Sequence, residues 1–359
     1  MVAFFQEVDM CLREFWGELF SVADVDLLPF FPAKFGGMGF SNPILSHRVA
    51  YISSVMECMT RFGWGDWDVV VEWKADHDLH LIPEERPKSP LTKLQSKFME
   101  SISLDMFKEY LSTLGEVRRA EVLGGAGDKQ GLWVFGGRGR NKILDEEFRN
   151  CVCLRLGYPL SPDLQANFDG HFSSKYSSPS QLLGVSVGGG TIARHNSLRN
   201  YFRDWAGQMG YVPILEPVVG LEGDERLRAD LKLVRDDEDP VFIDFFFTTS
   251  SMPSYARIQS FSAPEQSLRR KMSLKLSKYD KLVKGLGGRF LPLGFDSLGR
   301  YLSSYVEGLG FLLKRLESWK KDHFWRGLSL ATARRRSWTL ENVILNTEVV
   351  DGVVVKRVG

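Results

Sequence analysis

Val241-Phe242-Ile243-Asp244-Phe245-Phe246-Phe247-Thr248 is an apolar run with a single acid inside it. A short β-branched and aromatic run of this kind reads as a strand covered on both faces, in the middle of a sheet. A charge inside such a strand is costly unless something pairs with it. Upstream, Arg228-Ala229-Asp230-Leu231-Lys232-Leu233-Val234 reads as a second strand with an acid near its start. Arg235-Asp236-Asp237-Glu238-Asp239-Pro240 between them is a strong turn signal, so the two strands form a hairpin. If a five-residue loop joins them, Val234 faces Pro240 and Asp230 faces Asp244. Opposed residues share a face and lie about 4.5–5.5 Å apart. Two carboxylates that close repel each other, and one takes up a proton unless a cation lies between them. Oxygen ligands of this kind suit a hard divalent ion such as Mg²⁺. A six-residue loop would put the acids on opposite faces. The plain alternative leaves both at strand ends in water.

Working outward, Tyr211 to Leu215 reads as a preceding strand ended by Glu216, a candidate third carboxylate or simply a solvated strand end. A helix from about 193 to 210 comes before it, with Leu198, Phe202, Trp205 and Met209 on its apolar face. Arg194-His195-Asn196 opens that helix after Gly188-Gly189-Gly190, and Asn196 or Ser197 is a candidate N-cap. Exposed N–H groups there, with Arg194 and Arg199, suit a phosphate; ordinary capping explains the motif equally well.

Downstream of the acids, a helix over 264–285 carries Leu268, Met272, Leu276, Tyr279 and Val283 on one face and Lys271, Lys275 and Lys278 beside it. Such a stripe is usually a solvated face. A lysine at the edge of the buried face can instead stabilise charge developing on a phosphate. A strand from Arg289 to Pro292 and a helix over 297–321 follow. The order helix, strand, strand, strand, helix, strand predicts an α/β layer with a mixed sheet flanked by helices.

The N-terminal part reads as mostly helical, over 4–20, 43–62 and 91–117, interrupted by Gly36-Gly37-Met38-Gly39-Phe40 and a Trp-, Asp- and Pro-rich loop over 63–90. Residues 124–140 hold seven glycines and mark a boundary. A helix over 144–156 and a polar stretch over 161–181 open the second part. The expected division is therefore 1–140 helical, 141–325 the α/β domain and 326–359 a tail, basic at Arg334-Arg335-Arg336 and β-like from Val349.

At 359 residues the chain is long enough for about two domains. It is 43% hydrophobic and 25% charged, ordinary for a packed protein. Lys and Arg (46) nearly cancel Asp and Glu (45), so any nucleic-acid surface must be a local patch. Four cysteines are too few for a disulfide scaffold and predict a reduced, intracellular protein. No apolar run approaches about 18 residues, so no membrane span is expected. The start, Met1 to Asp9, lacks the basic segment of a signal peptide. His77-Asp78-Leu79-His80 has no third ligand in view, Cys151-Val152-Cys153 has no second cysteine pair for a structural zinc, and the 124–139 glycines do not end in a P-loop.

Several motifs taken in order resemble the C-terminal region of non-LTR retrotransposon polyproteins of the restriction-like-endonuclease type. Leu28-Pro29, Gly36-Gly37-Met38-Gly39-Phe40 and Ala50-Tyr51-Ile52-Ser53-Ser54 are similar to the segment after the polymerase core. Leu132-Trp133, Glu147-Phe148-Arg149 and Leu154 to Pro159 resemble the linker. Arg194-His195-Asn196, Glu216-Pro217, Arg228-Ala229-Asp230, Ile243-Asp244, Lys275-Leu276-Ser277-Lys278-Tyr279, Phe290-Leu291-Pro292 and Leu298-Gly299 resemble the nuclease. The resemblance implies a PD-(D/E)XK restriction-like fold that nicks DNA with Mg²⁺ or Mn²⁺. Asp230 and Asp244 would ligate the metal, with Glu216 as a third candidate. Lys275 or Lys278 would supply the catalytic lysine, because Phe246 stands two residues after the second acid. Arg194, His195, Asn196, Arg199 and Lys271 are the candidate nucleic-acid contacts. DNA is the expected partner, with RNA second, and the nucleus the expected place rather than the cytoplasm. Ala229 replaces the family's usual proline, and no cysteine follows Cys153, so the family's zinc knuckle is lost and only its histidine position, His171, has a match. No polymerase Asp-Asp motif occurs. The chain then reads as a decayed or separately expressed fragment. The alternatives are a non-catalytic nucleic-acid-binding remnant and a scaffold whose aspartates are structural.

Overall fold

The computed structural model describes residues 2–20, 22–23, 25–35, 37–40, 42–62, 67–68, 72, 94–127, 143–187, 189–222, 225–252 and 263–357. The chain divides into two compact units, Met1–Pro32 with Gly37–Leu114, and Ala33–Gly36 with Gly115–Gly359. The first contains α1 (Val2–Phe20), α2 (Pro43–Phe62) and α3 (Leu94–Thr113). Val49, Ile52 and Met56 of α2 pack with Trp67 and Phe98. Asp26 ties the turn after α1 to α3, accepting from Leu28 N and from the Tyr110 hydroxyl at 2.6 Å.

The second unit begins earlier than the glycine-rich stretch suggests. α4 (Glu116–Gly125) packs on α5 (Asp145–Leu156), and buried Arg155 donates to Gly125 O at 2.8 Å. That backbone carbonyl anchors 116–125 to the second unit. Residues 128–142, where most of the glycines fall, lie outside the described residues, as do His77 and His80. The expected polar stretch after α5 contains a helix, α6 (Pro162–His171), started by Pro162 and anchored by buried Leu164 and Phe168.

Then come α7 (Gly190–Ala206), β1 (Val212–Leu215), a hairpin of β2 (Val218–Glu222) and β3 (Glu225–Arg228), β4 (Leu231–Arg235), β5 (Glu238–Thr248), α8 (Ala263–Gly285) and β6 (Arg289–Asp296). The sheet order is β1-β4-β5-β6, with β1, β4 and β5 antiparallel in sequence and β6 parallel to β5. The protein is thus mixed α/β, with a four-stranded mixed sheet. Val241, Ile243 and Phe245 of β5 join Leu198 and Phe202 of α7 in one core cluster. Phe242 points the other way, to Tyr279 and Val283 of α8. Both faces of β5 are therefore covered, as its uninterrupted apolar run requires.

The expected hairpin register holds where the strands pair: Leu231 lies opposite Ile243, and Leu233 opposite Val241. The loop differs. The strands continue to Arg235 and Glu238, leaving a two-residue turn, and a register irregularity between Leu233 and Arg235 absorbs the difference. Arg235 lies 2.5 Å from Asp237, and Arg315 and Lys314 reach Asp237 and Glu238 at 2.8 and 2.7 Å. These pairs let a turn of consecutive acids close tightly.

The segment from 326 is not a tail. The expected 297–321 helix divides into α9 (Ser303–Leu313) and α10 (Ser318–Asn346), and α10 runs straight through the three arginines against α7. Phe324, Leu328, Ala333, Arg336, Leu340 and Val343 are buried along its length. The charge run hid that burial, because Arg336 is buried while Arg335 faces solvent. β7 (Thr347–Val350) and β8 (Val353–Lys356) form the β-like end, turning at Asp351-Gly352 with φ near 50° and 73°.

Gly189, at φ 76°, caps α7, and Gly190 lies under α10. A Cβ at Gly190 would come within 2.4 Å of the Thr339 methyl, on a side chain that is fully buried and bonded to Arg335 O. Gly190→Ala is therefore expected to destabilise the second unit by about 1–3 kcal/mol. Urea denaturation checks it: adding Thr339→Ser, which removes the methyl, should restore most of the loss.

Candidate active site

β4 begins at Leu231, opposite Ile243, whereas β5 runs on to Thr248. Beyond Ile243, no strand among the described residues pairs with β5 on its β4 side, which leaves a notch in the sheet. Asp230 closes part of it. Its own N–H donates to Ile243 O at 3.0 Å, and its Oδ2 accepts Phe245 N–H at 2.6 Å, replacing a missing strand with a side chain. This is why an acid just ahead of a strand comes to the centre of the sheet.

Asp244 lies in the notch at 3% exposure, on the β5 face covered by α8. Lys275 of α8 places Nζ 2.8 Å from Asp244 Oδ2. The contact is an ion pair without good hydrogen-bond alignment, so the buried Oδ2 still has no aligned donor. Burial pushes the Asp244 carboxyl above the usual carboxylate range. Lys275 pulls it back, and the charge of Asp230 adds to the rise.

His195 completes the cluster from α7. Its Nε2 lies 3.1 Å from Asp230 Oδ1, and its ring meets Phe245 edge-on at 6.3 Å between centroids. The site is thus a chain of four groups, His195, Asp230, Asp244 and Lys275, drawn from α7, the β4 start, β5 and α8.

The other predicted residues divide around it. Glu216 brings its backbone close, donating N–H to Asp230 O at 3.1 Å from a left-handed φ of 50° that few non-glycine residues adopt. Its carboxylate turns away, to Arg199 at 2.5 Å and Arg228 at 4.0 Å. Glu216 is therefore not beside the two aspartates as a third ligand, and Arg199 is already engaged. Arg194 is no surface contact either. It is 3% exposed, donates to Leu183 O and to Ser297 Oγ, and lies over the Phe247 ring. Burial lowers its pKa to about 10. Asn196 is not an N-cap, because the helix starts at Gly190 and Asn196 sits in its second turn. Lys271 is exposed and donates to Phe247 O at 2.8 Å. Lys278 is exposed, with Nζ 5.9 Å from the Tyr279 ring centre.

The sequence held a signal for the inward placement of Arg194 and His195. Counting back from Leu198 by four and by three gives Arg194 and His195, both on the continuation of the apolar stripe rather than on a solvent face.

Among the described residues no group of three or more His, Cys, Asp or Glu is placed to hold a metal. Two carboxylates are enough for Mg²⁺, which usually keeps several waters and takes one or two protein carboxylates beside a phosphate. The buried Asp244 Oδ2, which lacks an aligned hydrogen-bond donor, and the Asp230 carboxylate fit that demand. The cysteines do not suggest a metal: Cys151 and Cys153 are buried, which raises their thiols to about 11 and about 12. His171 lies at the end of α6, 3.9 Å from Glu348. No described helix is long and apolar enough to cross a membrane. Neither a protein-family model nor a curated protein matches the chain.

Proposed function

We propose that the protein is a metal-dependent DNA endonuclease that nicks one strand, with the restriction-like PD-(D/E)XK fold and a retrotransposon origin. The observation that carries this reading is the convergence of Asp230, Asp244 and Lys275 at the notch where β5 outruns β4. The element order α7-β1-β4-β5-α8-β6, with β2 and β3 as an inserted hairpin, supports the same reading.

Asp230 and Asp244 would hold Mg²⁺ or Mn²⁺. Bound there, the ion would supply Lewis-acid stabilisation of the phosphodiester and a more acidic water. Lys275 favours the ionised form of Asp244 and offsets part of the effect of its burial. Its ammonium is placed to meet charge that develops on a phosphate over Asp244, in a low-dielectric setting where such an interaction counts most. His195 fixes the orientation of Asp230 through Oδ1, while the Phe245 N–H fixes Oδ2. Both acids are thus preorganised by side chains from different elements.

Supercoiled plasmid provides the test. The open-circular form is expected with Mg²⁺ or Mn²⁺ and not with EDTA. Salt-sensitive DNA binding with no metal-dependent nicking would replace this reading with the second one, a catalytically degenerate binding remnant. That second reading draws on Phe246, at the position where a lysine often follows the second acid, and on the diversion of Glu216 to Arg199.

A further inference from the structure

A cleft lies three residues further along β5 from Asp244. At the end of β5, Phe247, Thr248 and Thr249 line its floor. Arg194 and Thr191 of α7 line one side, and Arg270, Lys271 and Leu274 of α8 the other. Its volume is about 530 Å³, which falls in the range of small-ligand sites.

Two kinds of side chain stand together on the α8 wall. Arg270 and Lys271 are exposed cations, and Leu274 is an apolar side chain left 65% exposed beside them. One nucleotide presents both matching chemistries, an anionic phosphate and the apolar face of a base. Lys271 also lies about one helical turn before Lys275, about 6 Å along the axis. That offset is comparable with the step between neighbouring phosphates of a strand. A chain whose scissile phosphate sits over Asp244 and Lys275 therefore brings its next nucleotide to this cleft.

We infer that the cleft is a subsite for one unstacked nucleotide of a DNA strand, adjacent to the Asp244–Lys275 pair. The assignment of the neighbouring phosphate as scissile rests on the nuclease reading above. A base enters such a cleft only after leaving its stack, which is least costly where it is already unpaired. The site thus favours single-stranded or locally opened DNA over intact duplex.

Fluorescence anisotropy on the full chain tests this, using labelled oligonucleotides in Ca²⁺ as single strand and as duplex of the same sequence. The single strand should bind about ten-fold more tightly, the scale of one base contact. Leu274→Asp, at an exposed position, should remove that preference, lowering single-strand affinity more than duplex affinity. In the nicking assay, an abasic nucleotide next to the cut bond should slow cleavage about ten-fold in wild type and have no effect in Leu274→Asp. Equal binding of the two forms, or a Leu274→Asp protein that keeps the preference, overturns the inference while leaving any nicking intact. A single-strand preference abolished by Leu274→Asp, without nicking in Mg²⁺, supports the subsite and overturns the nuclease reading.

Discussion

Asp244→Asn is expected to reduce metal-dependent nicking by at least about 100-fold, the scale of losing one main electrostatic group from an active site, without lowering the thermal midpoint at neutral pH. The two halves of this result have one cause. Asp244 is buried and feels the like charge of Asp230, so ionising it works against the fold. Lys275 offsets part of that cost. The folded carboxyl therefore titrates above its unfolded counterpart. Between the two pKa values the folded state keeps a proton that the unfolded state has released, so this group's contribution to stability falls as pH rises through that window. Above the window the wild type carries the full cost of a buried charge, and asparagine, of the same shape, does not. Lys275, at 28% side-chain exposure, can turn its ammonium to water once its partner is neutral. The midpoint should thus hold or rise at pH 7, and the difference should shrink as pH falls through the folded pKa. Nicking by the wild type should lose its acid limb above the ordinary carboxylate range for the same reason. Melting curves across pH, beside plasmid nicking, read both effects. A variant that still nicks would remove Asp244 from the site, and one that melts much earlier would make the residue structural.

The sheet was legible in the sequence because its signals were local. Alternation, apolar runs and the turn of consecutive acids placed β4, β5 and α8 nearly where they lie, and the register followed from them. What escaped depended on contacts between distant segments. The β2–β3 hairpin holds Gly220 and several charged residues, and it carries little periodicity of its own. It is kept in place by Val219 and Leu227, which pack with Ala229, Phe242 and Val283. The burial of Arg336 in α10 depends on packing against α7, more than a hundred residues away in sequence, so a basic run gave the wrong prediction of a solvated tail. Glu216 is the sharpest case. Sequence order placed it next to the acids, and its backbone is there, but two arginines from α7 and β3 hold its side chain elsewhere.

Lys275→Ala and Lys278→Ala should separate by a wide margin, although the sequence offered the two lysines as equals. They are three residues apart on one helix, so both lie on roughly the same side. The sheet beneath breaks the tie. Lys275 leaves α8 at the edge of the buried stripe and reaches Asp244 at 2.8 Å, with its ammonium 5.5 Å from the Tyr279 ring centre. Lys278 lies beyond Tyr279 toward solvent. Removing Lys275 takes away the cation over the site and also lets the Asp244 carboxyl rise further, since its largest downward influence is gone. At fixed pH less of it is then ionised. Lys275→Ala is therefore expected to lose at least about 100-fold in nicking, with its acid limb moved to higher pH. Lys278→Ala should lose a few-fold at most, through weaker DNA attraction, and that loss should shrink as salt rises while the pH profile stays in place. Lys275→Arg keeps the charge but replaces a compact ammonium with a planar fork, and should recover the acid limb better than the rate. Measured pH profiles of the three variants distinguish a lysine that acts at the reacting phosphate from one that only draws DNA in. Equal losses in Lys275→Ala and Lys278→Ala, with unmoved profiles, would make the Asp244–Lys275 pair a structural ion pair and leave catalysis without its lysine.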